Sequence, residues 1–193
     1  SSDPLPGNEN EERFYSRYYP KRLMAEVLLD AVSQVTGVSE KFNTIAFPGA
    51  DKQATDFYPE GTRAIQLYDS AVESYFLQTF GRNQRRITCE CERSSEPSMV
   101  QVLNISNGDT LNGKLAAATN RIGKLLEAKA GDDQLIDEAY LSALSRLPTE
   151  GEKKQLLEVL AATPEAEKRV AVEDLFWSVL SSFAESALAF SPP

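Results

Sequence analysis

Apolar residues recur at helical spacing along most of the chain. Leu23, Val27, Ala31 and Val35 form an every-fourth-residue stripe that stops at Gly37, a residue suited to the left-handed position behind a helix. Ser70 and Glu73 have the spacing of a capping box, which predicts a helix running to Phe80 with Gly81 behind it. Pro97 suits a first helical turn after Ser95 or Glu96, opening a short helix through Met99, Val102 and Leu103. Leu111, Leu115, Ala118, Ile122 and Leu125 fall on one face of a single helix whose start Asp109 is placed to cap. After Gly131, Asp132 or Asp133 begins another, with Leu135, Ile136, Ala139, Tyr140, Ala143 and Leu144 inward and Pro148 ending it. Thr149 and Glu152 make a second capping box, for a helix bearing Leu156, Leu157 and Leu160. Thr163-Pro164 starts the last helix, where Val172, Leu175, Phe176, Val179, Leu180 and Phe183 give a wide buried face and Trp177 is read as core.

Residues 38–69 break the period. Pro48, Gly49, Pro59 and Gly61 punctuate them, with Phe42, Phe47, Phe57 and Tyr58 between, the pattern of a long ordered loop pinned by aromatic burial. Arg63–Leu67 and Arg86–Cys91 each have the alternation of a short strand. The fold class that follows is mostly α. It is a single domain of about seven helices over residues 14–190, with a long aromatic-rich loop and a small two-stranded β-ribbon. Residues 1–13 read as a disordered lead-in.

Charge and composition narrow the function classes. The net charge of −9 argues against phosphate backbones and anionic lipid, so nucleic acid is not an expected partner. No apolar run approaches the ~18 residues that a membrane-spanning helix requires. The chain contains no histidine, which removes Ser-His-Asp and Cys-His nucleophile systems and the C-x-x-C-H attachment of c-type haem. No metal site or cofactor is therefore expected within it. Any catalysis would rest on Asp, Glu, Arg, Tyr, Lys or Cys.

The densest chemistry lies between residues 89 and 112. Cys89, Glu90, Cys91, Glu92, Arg93, Ser95 and Glu96 are followed by Asn107, Asp109 and Asn112. A Cys89–Cys91 disulfide would need a tight turn, because an extended backbone sets the two Cα atoms near the upper limit of about 6.8 Å. Two buried thiols, a structural disulfide and a redox pair all stand open. Arg93 reads either as an anion clamp or as a buried tie to loop backbone and a neighbouring acid. Arg82, Arg85 and Arg86 form a basic spot read as a solvated turn.

With those residues in view, the chain resembles the C-terminal part of domain-of-unknown-function family 1553. The similarity is carried by Tyr19–Ala31, Gly61–Leu67, Ser74–Leu77 and Phe80–Arg82, and most specifically by Cys89–Ser98 and Asn107–Asn112. Tyr140–Thr149 and Asp174–Leu180 extend it. Tyr68 stands where the family has proline, and the family's usual terminal segment with its histidine is replaced by Ser181–Glu185. The resemblance implies an exported parent protein of the planctomycete type, at a periplasmic or cell-surface address, with a c-type cytochrome domain elsewhere in it. The oxidising setting so implied favours a disulfide.

Three functional readings follow. In the first, the chain is a non-catalytic interaction module whose partners are the parent's other domains, built on a rigid, fully hydrogen-bonded node around Cys89–Asn112. In the second, it is part of a glycan-active enzyme using acids near Glu90, Glu92 and Asp109. In the third, Cys89 and Cys91 form a thiol/disulfide relay.

Overall fold

The computed structural model describes residues 5–8, 14, 16, 23–47, 50–67, 71–82 and 98–189, with side chains as far as residue 184. Among these, eight α-helices and one antiparallel ribbon follow in order. They are α1 (Ala25–Thr36), β1 (Thr44–Ile45), β2 (Gln53–Ala54), α2 (Tyr75–Thr79), α3 (Met99–Asn107), α4 (Asp109–Ala116), α5 (Arg121–Glu127), α6 (Asp132–Leu144), α7 (Glu150–Ala162) and α8 (Lys168–Ala189). The protein is mostly helical with a minimal ribbon, as its residue pattern predicts.

Two apolar clusters share the long helices. Val32 and Val35 of α1 join Leu111, Leu115, Ile122, Ile136, Tyr140, Leu160, Val172 and Phe176 in one. Ala25, Leu28 and Leu29 of the same helix join Phe42, Ala64, Leu67, Val72, Phe76, Leu77, Phe80 and Ile105 in the other, where Ala184 of α8 also sits. α1 and α8 therefore thread both clusters, and each burial removes apolar surface worth roughly 25 cal/mol per Å² from water.

Local chemistry explains most helix ends. Gly37 takes φ 71° and closes α1 with its N–H on the Ser33 carbonyl at 2.9 Å. The buried face of α1 is Ala25, Leu28, Leu29, Val32 and Val35, while Leu23, Val27 and Ala31 flank it half-buried. An i, i+3, i+4 stripe is wider than an every-fourth one and lies a position away. α2 begins later than expected: Ser74 accepts the Leu77 N–H at 3.3 Å, whereas Glu73 is extended and donates its N–H to the Thr44 carbonyl. Ser70 lies outside the described residues. Thr149 and Glu152 cap α7 reciprocally as predicted. α6 stops at Ser145, at φ 56°, before Pro148 is reached.

Other expectations are corrected. The ribbon pairs Thr44 with Ala54 and Ile45 with Gln53, inside the loop, and Ile45 also bridges Val72. Arg63–Leu67 is not a strand but carries a 3₁₀ turn at Ala64–Gln66; Arg86–Cys91 lies outside the described residues. Of the loop aromatics only Phe42 is fully buried. Phe47 and Phe57 are about half exposed, and Phe57 meets the half-buried Tyr58 edge-on at 5.1 Å. Trp177 is 36% exposed, because the buried face of α8 passes through Phe176 and Leu180 and leaves position 177 outward. Arg82 is not solvated: its side chain is 8% exposed, with Nε 3.8 Å from Glu26 and Nη1 3.5 Å from the Val72 carbonyl.

Candidate functional site

Cys89, Glu90, Cys91, Glu92, Arg93, Ser95 and Glu96 lie outside the described residues. The described part of the node is the corner between α3 and α4. Ser98 caps α3 by accepting the Gln101 N–H, and the Gln101 side chain returns to the Ser98 N–H. The same buried side chain donates to the Thr79 carbonyl at 2.8 Å, joining α3 to the end of α2. Asn107 closes α3, Gly108 is the N-cap of α4, and Asp109 is the first residue of α4 rather than its cap. Asp109 still complements the positive end of the α4 dipole from there. A Cβ on Gly108 would lie 2.2 Å from the Asn104 carbonyl oxygen, so only glycine lets the two helices meet this closely.

Asn107 and Asp109 line an open cleft of about 470 Å³ together with Tyr75, Val100, Leu103, Asn104 and Thr110. The side chains of Asn107, Asp109 and Asn112 make no hydrogen bond to another described residue. Asn107, Asp109 and Asn112 thus stand apart from the hydrogen bonds that Ser98 and Gln101 make in the same stretch.

The tightly bonded polar cluster is elsewhere, where α4 breaks from α5. The residue pattern predicts one helix across 109–125; two form instead, separated by residues 117–120. Asn120 is 0% exposed. Its Oδ1 accepts the Gly123 N–H at 2.8 Å, capping α5, and its Nδ2 donates to the carbonyls of Lys114 and Leu115. Arg169 of α8 donates to the Ala117 carbonyl at 3.2 Å and the Ala116 carbonyl at 3.5 Å. Donors are thereby supplied to the carbonyls of Lys114, Leu115 and Ala116 at the end of α4 and of Ala117 just behind it. Gly123 is required because a Cβ there would lie 2.2 Å from the Ala118 carbonyl oxygen.

The same junction holds the end of α1. Arg121 donates from Nε to the Val35 carbonyl at 2.8 Å and from Nη2 to the Gln34 carbonyl at 2.9 Å, while Nη1 pairs with Glu138. Buried Lys114 donates to the Val38 carbonyl at 2.9 Å and pairs with Glu40 at 3.1 Å. Two cations thus face the negative end of the α1 dipole. Asp30, on the same helix, accepts the N–H groups of Ala64 and Ile65 at 2.6 and 3.1 Å, fastening the 3₁₀ turn.

At the α6–α7 corner, Arg146 grips Glu152 through two bonds of 2.8 and 2.9 Å and lies 5.2 Å from the Tyr140 ring centre. Those bonds, with the Thr149 N–H, hold the Glu152 carboxyl down at about 2. Burial, then the Glu152 charge, raises the Tyr140 phenol. Lys153 is raised by its bonds to Asp137. Among the described residues no three His, Cys, Asp or Glu side chains gather as a metal site.

A family model described as protein of unknown function (DUF1553), also labelled PSD1, matches residues 2–160. The chain belongs to the DUF1553 family. No curated protein and no solved structure matches it. Within this DUF1553 chain, Asn120, Lys114, Arg121 and Arg169 are the important polar residues that sequence reasoning passed over. The signal for Asn120 was present: an N-capping residue three positions before Gly123. It was masked by an apolar period that continues through Ala118, Ile122 and Leu125. No described helix is long and apolar enough to cross a membrane.

Proposed function

We propose that residues 14–190 act as a helical interaction module of a larger exported, haem-associated bacterial protein, without catalysis of their own. The observation that supports this reading is how the polar side chains withdrawn from water are employed. Asn120, Lys114 and Gln101 are buried, and each holds a main-chain carbonyl at or just beyond a helix end. Acids on the neighbouring elements are committed to main-chain N–H groups or to Lys and Arg, as Asp30, Glu40, Glu138 and Glu152 are. A catalytic acid at neutral pH calls for a carboxyl raised by burial or by a second acid. Glu152, by contrast, is held down.

In this reading c-type haem belongs to another domain of the parent, and the module resides in the periplasm or at the cell surface. Its partners are the parent's remaining domains. The test is to express those domains separately, add the chain in trans, and follow association by size-exclusion chromatography with light scattering. A stoichiometric complex, with no product formed by the chain alone from glycan or thiol/disulfide substrates, is the expected result. Turnover by the chain alone would overturn the reading.

A further inference from the structure

We propose that the cleft between the start of α2 and the α3–α4 corner binds a neutral carbohydrate, with Tyr75 as the stacking ring and Asn104, Asn107, Asp109 and Thr110 as the hydrogen-bonding wall. The proposal rests on the interaction-module reading and names a ligand class for one face of that module.

Three features of the cleft point this way. The first is apolar surface left in water: Tyr75 is 66% exposed, Leu103 54% and Val100 53%, and all three line the cleft. Adjoining exposed apolar side chains of this size mark binding surfaces in soluble proteins. The second is unused hydrogen-bonding capacity. Tyr75, Asn107, Asp109 and Thr110 line the same walls, and their side chains make no hydrogen bond to another described residue. The third is shape: about 470 Å³ of open cleft lies within the range of small-ligand sites.

The ligand class follows by matching these walls. A purely apolar ligand would strip water from two amides, a hydroxyl and a carboxylate and return nothing to them. An anionic ligand would face Asp109 and the field of a chain of net charge −9. An extended peptide adding as a strand would need a free strand edge to pair with, and the described walls are helical. A pyranose ring meets both requirements at once. Its C–H face lies on an aromatic ring and its rim of hydroxyls donates and accepts. Asn supplies both donor and acceptor, and Asp accepts.

The experiment is a titration of the ¹⁵N-labelled 193-residue chain with neutral hexasaccharides of β-1,4-glucose, β-1,4-mannose, β-1,3-glucose and α-1,4-glucose, beside hexagalacturonate as the anionic control. At least one neutral sugar is expected to give saturable shifts confined to the amides of Tyr75 and of residues 100–110. Tyr75→Ala and Asn107→Ala are expected to weaken that binding about tenfold each, with unchanged thermal unfolding, since both side chains are exposed. Absence of saturable shifts across the neutral panel, preference for the galacturonate, or binding indifferent to Tyr75→Ala would overturn the proposal. Chromatography of the same mixtures separates it from the reading it rests on. A sugar bound and left intact supports both, a sugar bound and cleaved sinks only the non-catalytic reading, and no binding sinks only the carbohydrate site.

Discussion

Replacing Asn120 with alanine is the sharpest test of how the α4–α5 junction is held. The side chain is wholly buried and makes three hydrogen bonds, one to the Gly123 N–H and two to the Lys114 and Leu115 carbonyls. Loss of an Asn N-cap costs about 0.5–2 kcal/mol. A buried carbonyl left without a donor costs about 1–3 kcal/mol, and here water could reach neither without repacking the junction. Because the three bonds share one side chain their losses do not sum in full, and the expected destabilisation is about 3–4 kcal/mol. For a chain of this size that corresponds to a melting temperature lower by about 10 °C. Urea unfolding followed by far-UV circular dichroism at 25 °C, with wild type and variant fitted to a common slope, reads the difference directly. Asn120→Asp supplies the control. It keeps the acceptor for Gly123 but turns a charged oxygen toward two carbonyls, so it is expected to be no more stable than the alanine variant. A loss below about 1 kcal/mol for Asn120→Ala would refute the argument, since a single cap on an exposed helix could account for that much.

Three further outcomes follow from the same geometry. Gly123→Ala should destabilise by roughly 2 kcal/mol in the same urea assay, although alanine is the better helix former by about 1 kcal/mol, because its Cβ would meet the Ala118 carbonyl; a stabilised variant would show that the junction yields. Glu152 has a folded pKa of about 2 against an ordinary value of 4.5, so its contribution is complete above the unfolded value and is lost as pH falls from about 4.5 toward 2. Glu152→Gln should flatten the acid-unfolding profile in that window and leave the profile above pH 5 unchanged in shape. Trp177 is the only tryptophan and is partly exposed, so acrylamide should quench native fluorescence efficiently; a blue-shifted, protected emission would place the ring in the core instead.

The helical architecture was legible wherever an apolar stripe coincided with a cap. Thr149 and Glu152 mark α7 without ambiguity, and Gly37 marks the end of α1 because only a left-handed residue closes that turn. Periodicity misled where it ran past a break. Leu115, Ile122 and Leu125 remain in phase across residues 117–120, since both flanking helices pack on the same cluster, and the buried Asn120 that interrupts them is invisible to an apolar count. The candidate site was legible by composition but not by arrangement. Asn107 and Asp109 do share a cleft, yet Tyr75 and Leu103 reach it from elements that local sequence does not bring together. Trp177 and Arg82 failed for a common reason. Residue type predicts average burial, while the rotation of α8 and a pairing with Glu26 decided each case.

The grip of Arg121 on Val35 spans 86 positions, and its third contact, Glu138, lies later still. On a ribosome adding about 5–20 residues per second, the first helix therefore emerges seconds before the guanidinium that secures its tail. Closing so wide a separation is slow relative to local helix formation. A nascent chain halted between α3 and α5 would display the sticky side of α1 without its clasp, which makes the middle of the message, rather than its end, the interval in which a chaperone is needed most.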